Sequence, residues 1–330
     1  MRLRSARNVA VFFALAACSG NSEHPSGPAA SADAADVATP GESDGGSDAL
    51  SENGGDGSVG EADAGPLGGD RPVDVHVPPG YVPGVPAPLV LLLHGYTASG
   101  LLEEAYLGLT ALSDEKGFLY AYPDGTIDAL GNRFWNATDA CCSSASTMNI
   151  DDSGYLSGLI TQIESRYTVD PKKVYFVGHS NGGFMSYRMA CDHSDQIAAI
   201  ASLAGAMFSD VTQCHATAPV NILEIHGTAD TVINYMGGAI QGNAYPSAET
   251  TVLDWATLDG CGTTPDTTAP PLDLESALPG AETTVTVYGS GCRPGGRAEL
   301  WAIQGGSHIP SFTPNFARDV VEFLLAHPKP

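Results

Sequence analysis

Residues 173–191 read KVYFVGHSNGGFMSYRMAC, and this stretch decides the predicted fold. An apolar run that is typical of a buried strand ends at Gly178, and an apolar helical pattern begins at Asn181. The junction, GHSNG at 178–182, matches the pattern Gly-x-Ser-x-Gly. A serine on so tight a strand-to-helix turn needs glycines beside it, because larger side chains would clash. We therefore predict that Ser180 is a nucleophile, and the alternative is a glycine-rich turn without chemistry.

Apolar runs alternate with helical patterns along the rest of the chain. Strands are predicted at 72–77, 88–93, 118–122, 173–177, 197–203, 220–225, 284–288 and 298–303. Helices are predicted at 101–116, 152–167, 181–191, 247–258 and 315–326. Apolar strands interleaved with helices are typical of a mostly parallel, doubly wound sheet with helices on both faces. The predicted fold class is α/β, and residues 124–150 are interpreted as an insertion or long loop at the sheet edge.

Two later loops carry candidate partners for the serine. His308 follows the last predicted strand, in GGSH at 305–308, and Asp230 ends the loop GTAD at 227–230. A neutral imidazole can take the serine proton, and a carboxylate can hold that imidazole in the required tautomer. The chain order Ser180, Asp230, His308 is the one expected of an α/β-hydrolase. The alternatives are a solvent-exposed loop histidine and an Asx turn.

An oxyanion hole needs two backbone N–H groups that point at the developing negative charge. Asn181, the residue after the nucleophile, is predicted to supply one of them. The second is expected from the loop HGYT at 94–97, with Tyr96 as the first choice and Thr97 as the fallback. The ring of Tyr96 is a candidate wall for the acyl pocket, and an ordinary surface tyrosine is the alternative.

Composition excludes some classes of function. The chain has 330 residues, with 38 acidic and 14 basic side chains and a net charge of −24. Nucleic-acid binding needs clustered Lys and Arg, so no nucleic-acid partner is expected. Residues 19–70 contain no aromatic, Lys or Arg residue and are rich in Gly, Ala, Ser and Asp, which predicts a disordered linker. Residues 71–330 then form one large domain.

The N-terminus resembles an export signal. Residues 1–18 read MRLRSARNVAVFFALAAC, a basic start followed by a short apolar run. LAAC at 15–18 resembles the bacterial lipobox, in which the cysteine is lipidated, and an ordinary cleavage site is the alternative. We expect an extracellular or cell-surface protein that meets the membrane only through a lipid anchor at Cys18.

Six further cysteines are predicted to form disulfides, because their number is even and the chain is exported. They are Cys141, Cys142, Cys191, Cys214, Cys261 and Cys292. No zinc-finger spacing accompanies them, so no metal site is expected.

Several motifs resemble one family of esterases. They include LLLHGYTASG, YAYPDG, DDSGYL, GHSNGGFMSYRMAC, IHGTAD, WATLDGC and IQGGSHIP, and they span about residues 71–326. The chain resembles the polyhydroxybutyrate-depolymerase-like esterases, which include feruloyl esterases of the family-one carbohydrate esterase type. The resemblance implies that Ser180, Asp230 and His308 form a triad that needs no cofactor. It also implies a Cys261–Cys292 disulfide, which leaves Cys141 or Cys142 to pair with Cys191 or Cys214.

The leading hypothesis is a serine esterase that hydrolyses feruloyl esters of plant cell-wall polysaccharide such as xylan. One departure concerns the substrate, because relatives often have Trp directly after the catalytic histidine and this chain has Ile309-Pro310. The second hypothesis is a polyhydroxybutyrate (polyester) depolymerase. A non-catalytic carbohydrate-binding lipoprotein is a third, and an intact triad argues against it.

Overall fold

Eight strands of one sheet organise the structure, a computed structural model that describes residues 66–142 and 149–330. The strands in these ranges are β1 (Val75–His76), β2 (Ala87–Leu93), β3 (Leu119–Ala121), β4 (Thr126–Ile127), β5 (Arg133–Phe134), β6 (Val169–His179), β7 (Ala199–Leu203), β8 (Asn221–Gly227), β9 (Gly238–Ile240), β10 (Asn243–Tyr245), β11 (Thr283–Tyr288) and β12 (Ala298–Ile303). The helices are α1 (Gly100–Leu107), α2 (Thr110–Lys116), α3 (Asp152–Arg166), α4 (Asn181–Asp192), α5 (Ala248–Leu258) and α6 (Phe316–Ala326).

The order of strands in the sheet is β1-β3-β2-β6-β7-β8-β12-β11. The six inner strands from β3 to β12 pair in parallel, and β1 and β11 pair antiparallel at the two edges. The predicted α/β class with a mostly parallel sheet is thereby confirmed. Because β6, β8 and β12 run in the same direction, the loops that follow them emerge at one edge of the sheet.

Helices cover both faces of the sheet, as predicted. In β2, Leu89, Leu91 and Leu93 pack into a core shared with α3, α4 and α5. The alternate residues Val90 and Leu92 pack into a second core shared with α1, α2 and α6. Both sets of side chains are fully buried, which explains why this strand reads as a continuous apolar run.

The single helix predicted at 101–116 is two helices in the structure. Gly108 ends α1 with a φ of 69°, and its N–H donates to the carbonyl of Glu104. Glycine adopts this left-handed conformation without the strain that other residues meet, so it commonly terminates helices. The Glu104 carboxylate then accepts the N–H groups of Leu109 and Thr110, where α2 begins.

The folded domain starts earlier than the sequence predicts. Leu67, assigned above to the linker 19–70, is buried and forms an isolated β-bridge with Val73. Gly68 N–H donates to the side chain of Gln162 on α3.

The signal segment 1–18 and residues 19–65 of the linker lie outside the described residues, so their assignments stay predictions. None of the helices in the described ranges is long and apolar enough to cross a membrane.

Candidate active site

Ser180 lies on the turn between β6 and α4, with φ of 54° and ψ of −118°. Few residues other than glycine adopt this strained conformation, and strained residues are concentrated at functional sites. A Cβ atom on Gly178 would lie 2.1 Å from the Gly182 carbonyl oxygen, and one on Gly182 would lie 2.0 Å from the Leu93 carbonyl oxygen. Glycine is therefore required at both positions, which is the physical basis of the predicted motif.

His308 and Asp230 meet through a short hydrogen bond. Nδ1 of His308 lies 2.7 Å from Oδ2 of Asp230, and both residues are buried. The other carboxylate oxygen accepts the N–H groups of Val232 and Ile233 at 2.8 and 2.9 Å. Because the carboxylate accepts, Nδ1 carries the proton and Nε2 of His308 is left as the base.

The loops that carry these residues approach each other and the nucleophile. A Cβ atom on Gly227 would lie 2.3 Å from the carbonyl oxygen of Gly306, so the acid and base loops touch at these two glycines. Nε2 of His179, the residue before Ser180, lies 3.0 Å from the carbonyl oxygen of His308. The structure thus brings the three predicted triad residues to the same edge of the sheet.

The surroundings change the pKa values of both groups. Burial would raise the pKa of Asp230, but hydrogen bonds with His226 and His308 outweigh it and hold that pKa well below its usual range. Burial lowers the pKa of His308, the bond to Asp230 raises it, and His179 lowers it by charge repulsion. The net direction for His308 is downward, which keeps the imidazole neutral and basic near pH 7.

The predicted oxyanion loop lies beside the nucleophile. A Cβ atom on Gly95 would be 3.5 Å from the Cβ of Ser180. Thr97, the fallback donor, donates its N–H to the carbonyl of Arg133 at 2.9 Å, and Tyr96 as the first choice stays a prediction. The Tyr96 hydroxyl donates to Asp128 at 2.7 Å, which fixes its side chain against the hairpin of β4 and β5.

The second proposed donor, Asn181, is held by its side chain. Its Oδ1 accepts the N–H of Trp135 at 2.7 Å, and its Nδ2 donates to the carbonyl of Trp135 at 2.9 Å. Trp135 in turn donates its indole N–H to the carbonyl of His94. As the first residue of α4, Asn181 has a backbone N–H that no helical carbonyl accepts, and the helix N-terminus favours negative charge.

A second histidine contacts the candidate acid, and sequence reasoning missed it. His226 on β8 places Nδ1 3.0 Å from Oε1 of Glu224, and Nε2 2.8 Å from the carbonyl of Ile233 and 3.5 Å from Asp230. Burial opposes protonation, but the hydrogen bonds to Asp230 and Glu224 raise the pKa of His226 to about 9. The sequence EIHGTAD at 224–230 could have indicated this contact, because one histidine lies between two acids at short spacing.

The cysteines pair differently from one expectation. Cys261 pairs with Cys292, as the family resemblance implies. Cys191 pairs with Cys214, and Cys141 pairs with Cys142. The expectation that Cys141 or Cys142 pairs with Cys191 or Cys214 was therefore wrong. The reason is topological, because Cys214 follows a short helical turn that returns the chain to the end of α4, with a Cα–Cα distance of 4.8 Å to Cys191.

Comparison with known proteins identifies the family. The phospholipase/carboxylesterase family of α/β-hydrolases matches residues 84–254, which is more than half of the chain. The chain belongs to this family. The match includes the Ser180 turn and Asp230, whereas His308 lies beyond it.

Individual relatives are esterases by name. Feruloyl esterase B of Piromyces equi is 30% identical over 246 residues, which is 72% of this chain and 42% of the relative. Poly(3-hydroxyalkanoate) depolymerase C of Paucimonas lemoignei is 29% identical over 137 residues, or 42% of this chain and 32% of the relative. In both cases the chain spans less than half of the relative's length.

The fold is shared with a solved structure. Acetyl xylan esterase from Aspergillus awamori superimposes with a TM-score of 0.56 at 17% identity, covering 79% of this chain and 96% of that one. This similarity concerns the fold of the carboxylesterase domain.

Proposed function

We propose that this family member is a serine esterase that hydrolyses carboxylic esters through Ser180, His308 and Asp230. The observation that carries the proposal is the buried 2.7 Å bond between His308 and Asp230, on loops that meet the strained serine turn. Asp230 also forms the Asx turn that was the alternative, since its Oδ1 accepts the N–H of Val232, but the buried contact of its Oδ2 with His308 is not part of that turn.

The proposed reaction has two steps, acylation and deacylation of Ser180. Nε2 of His308 takes the Ser180 proton as Oγ attacks the ester carbonyl, and the N–H groups of Tyr96 and Asn181 stabilise the oxyanion. The imidazolium, which Asp230 stabilises, then protonates the leaving alcohol and leaves an acyl-serine. A water molecule, deprotonated by His308, then attacks the acyl-serine, and His308 returns that proton to Oγ of Ser180 as the acid product leaves. No step requires a metal ion or another cofactor.

The proposed substrates are feruloyl esters of plant cell-wall polysaccharide such as xylan. The name of the Piromyces equi relative supports this class, since its similarity extends over 72% of the chain. The polyester alternative is supported by the depolymerase from Paucimonas lemoignei, over a shorter stretch.

Three disulfides in the described residues support an oxidising, extracellular location. We further propose that a lipid on Cys18 anchors the protein and that residues 19–65 tether the domain.

Side-by-side assays of the purified protein test these proposals. Methyl ferulate, acetylated xylan and a polyhydroxybutyrate film serve as substrates, and Ser180→Ala is the inactive control. The wild type should hydrolyse methyl ferulate fastest, and the variant should lose on the order of 10⁶ in kcat. Faster release from the film would favour the depolymerase, and no hydrolysis of any ester would favour a non-catalytic binding protein.

Cys18→Ala should move the protein from a detergent fraction to the aqueous fraction, and a water-soluble wild type would contradict the anchor.

A further inference from the structure

A buried carboxylate lies behind the candidate active site without any role in the reaction steps described above. Glu103, on the first turn of α1, is fully buried. Its Oε2 accepts the N–H of Gly95 at 3.0 Å, directly before the proposed oxyanion donor Tyr96. Its Oε1 lies 3.3 Å from Nδ1 of His179, an ion-pair distance without hydrogen-bond geometry, and the His179 side chain is almost fully buried. A buried carboxylate needs such partners, because an unpaired charge in the core is strongly destabilising.

His179 extends the contact to the base loop. Its Nε2 lies 3.0 Å from the carbonyl oxygen of His308, and a carbonyl can only accept, so Nε2 carries a proton. Both ring nitrogens of His179 therefore face oxygen acceptors, an arrangement that suits an imidazolium. Tyr106 of α1 packs on the same ring, with 5.6 Å between ring centroids, and its hydroxyl donates to the carbonyl of Pro310, two residues after His308.

Electrostatics agree with a charged His179. Burial alone lowers its pKa, but the Glu103 carboxylate and the carbonyl of His308 raise it, and the net direction is upward. The rings of His179 and His308 lie 5.0 Å apart between centroids, so the positive charge of one disfavours protonation of the other.

We propose that Glu103 and His179 are a positioning pair that couples the oxyanion loop, the nucleophile turn and the base loop of the esterase. Glu103 fixes Gly95, and His179 fixes the backbone of His308 at a set distance from Ser180. The three segments belong to different parts of the chain. Glu103 bonds to the oxyanion loop, His179 lies on the nucleophile turn and bonds to the base loop, and an ion pair joins the two side chains. The inference rests on the proposed function, because it assigns the pair to the esterase reaction.

Three variants separate the contributions of charge and hydrogen bonding. Glu103→Gln can keep the bond to Gly95 N–H and donate its amide to Nδ1 of His179, so it removes the charges and keeps the contacts. Glu103→Gln/His179→Leu also removes the donor to the His308 carbonyl, without leaving a buried unpaired charge. Glu103→Gln/His179→Gln returns an amide donor at the position of Nε2. His76→Leu, at a half-buried histidine that pairs with Asp114 away from these loops, is the matched control.

The measurements are kcat and KM for methyl ferulate against pH, with thermal unfolding as a check on folding. Glu103→Gln should keep its plateau kcat within about threefold of the wild type. The acid limb of its pH profile, where activity is lost as His308 becomes protonated, should move upward by about half a pH unit to one pH unit. The sign follows because His308 loses a neighbouring positive charge. Three titratable groups face His308: His179 at the end of β6, His226 on β8 and Asp230 on the loop after β8. Glu103 and Tyr106 face His179 from α1.

The leucine double variant should lose on the order of 10–100-fold in kcat with KM within about threefold, because the base is no longer held in place. The glutamine double variant should recover most of that loss, and the His76→Leu control should match the wild type. Unchanged kcat and pH profiles in folded variants would overturn the positioning role. If the leucine variant does not fold, an unshifted acid limb in Glu103→Gln overturns the charged Glu103–His179 pair, and with it the proposed coupling to His308. A wild type without esterase activity would instead overturn the proposed function.

Discussion

At the scale of single residues, the candidate site depends on strain and on buried polar contacts. Ser180 and Thr97 both have positive φ angles, of 54° and 71°, although neither is glycine. Such conformations persist only where the surrounding structure enforces them. At Ser180 the sheet and α4 do so, because its N–H donates to the carbonyl of Leu203 at 2.7 Å. The strained turn therefore presents a half-buried hydroxyl at the strand ends with little freedom to move.

The role of Asp230 can be tested by a neutral replacement. In Asp230→Asn, an amide donor can face His308 and favour the tautomer with the proton on Nε2, which cannot accept the serine proton. We expect a loss on the order of 10⁴ in kcat, by analogy with the corresponding change in serine proteases. The matched control is Asp254→Asn on α5, which should stay within about twofold of the wild type. An equal loss in both variants, or less than tenfold for Asp230→Asn, would mean that the acid has been assigned wrongly.

We expect His308, the proposed base, to set the pH dependence of the reaction. The base must be neutral to accept the serine proton, so activity is lost as pH falls through the pKa of His308. Burial and the charge of His179 lower that pKa from its usual value of about 6.5. We therefore expect kcat/KM for a chromogenic ester to rise through one ionisation below pH 6.5 and to be flat from pH 7 to 8. A midpoint at or above pH 7 would contradict the assigned environment.

At the scale of secondary-structure elements, the apolar patterns predicted the central strands well. The run PLVLLL, for example, became β2 because a strand buried on both faces needs no polar alternation. The break at Gly108 was readable in principle, since a glycine commonly ends a helix. The pairing of Glu103 with His179 was not, because it depends on how α1 approaches the end of β6, where His179 lies, and not on any local pattern.

Asp259 is a buried acid at the opposite end of β8 from Asp230. Asp259 follows α5, and its Oδ1 accepts the N–H of Val220 at 3.4 Å, at the amino end of β8. Asp230 follows the carboxyl end of the same strand. Asp259 is almost fully buried, and burial raises its pKa to about 7, although Val220 N–H and the charge of Arg293 oppose the rise.

Asp259 should therefore make stability depend on pH. The unfolded chain releases this proton near pH 4, whereas the folded chain keeps it until about pH 7, so stability is full below pH 4 and is lost as pH rises through 7. Asp259→Asn removes the ionisation, and at pH 8 we expect it to raise the free energy of unfolding by on the order of 1–4 kcal/mol. The gain should fade toward pH 4 in urea unfolding measured at both pH values.

The exposed Asp273 provides the control for this effect. Asp273→Asn should stay within about 0.5 kcal/mol of the wild type at each pH. A loss of stability in Asp259→Asn at pH 8, or a gain of equal size at pH 4 and pH 8, would show that the Asp259 carboxyl does not behave as a buried acid.

At the scale of the whole molecule, sequence patterns predicted two features least well, namely the start of the folded domain and the pairing of the cysteines. Both depend on contacts between segments that are distant in sequence. Leu67 lies in a glycine-rich stretch whose composition resembles the linker, and only its contact with Val73 reveals that it is part of the fold. Similarly, spacing alone allows many pairings of six cysteines, and the choice depends on which loops the fold brings together.

The Cys191–Cys214 bond should contribute to stability through the unfolded chain. It closes a loop with a sequence separation of 23 residues, so removing it returns conformational entropy to the unfolded state. We expect Cys191→Ala/Cys214→Ala to lower the free energy of unfolding by about 3 kcal/mol in guanidinium titrations. Ser180 caps the first turn of α4 and Cys191 lies in its last turn, so kcat should be unchanged under conditions where the variant is folded.

The Cys261–Cys292 pair is the internal comparison for that prediction. Its sequence separation of 31 residues is slightly larger, so the matching double alanine variant should cost about the same or slightly more. Peptide mapping of the unreduced wild type should recover these two links and no bond from Cys141 or Cys142 to Cys191 or Cys214. Recovery of such a bond would contradict the pairing, and a change below about 1 kcal/mol in both variants would contradict the loop-closure argument. Because the two loops differ in sequence and location, equal costs would tie the stabilisation to chain entropy and not to local packing.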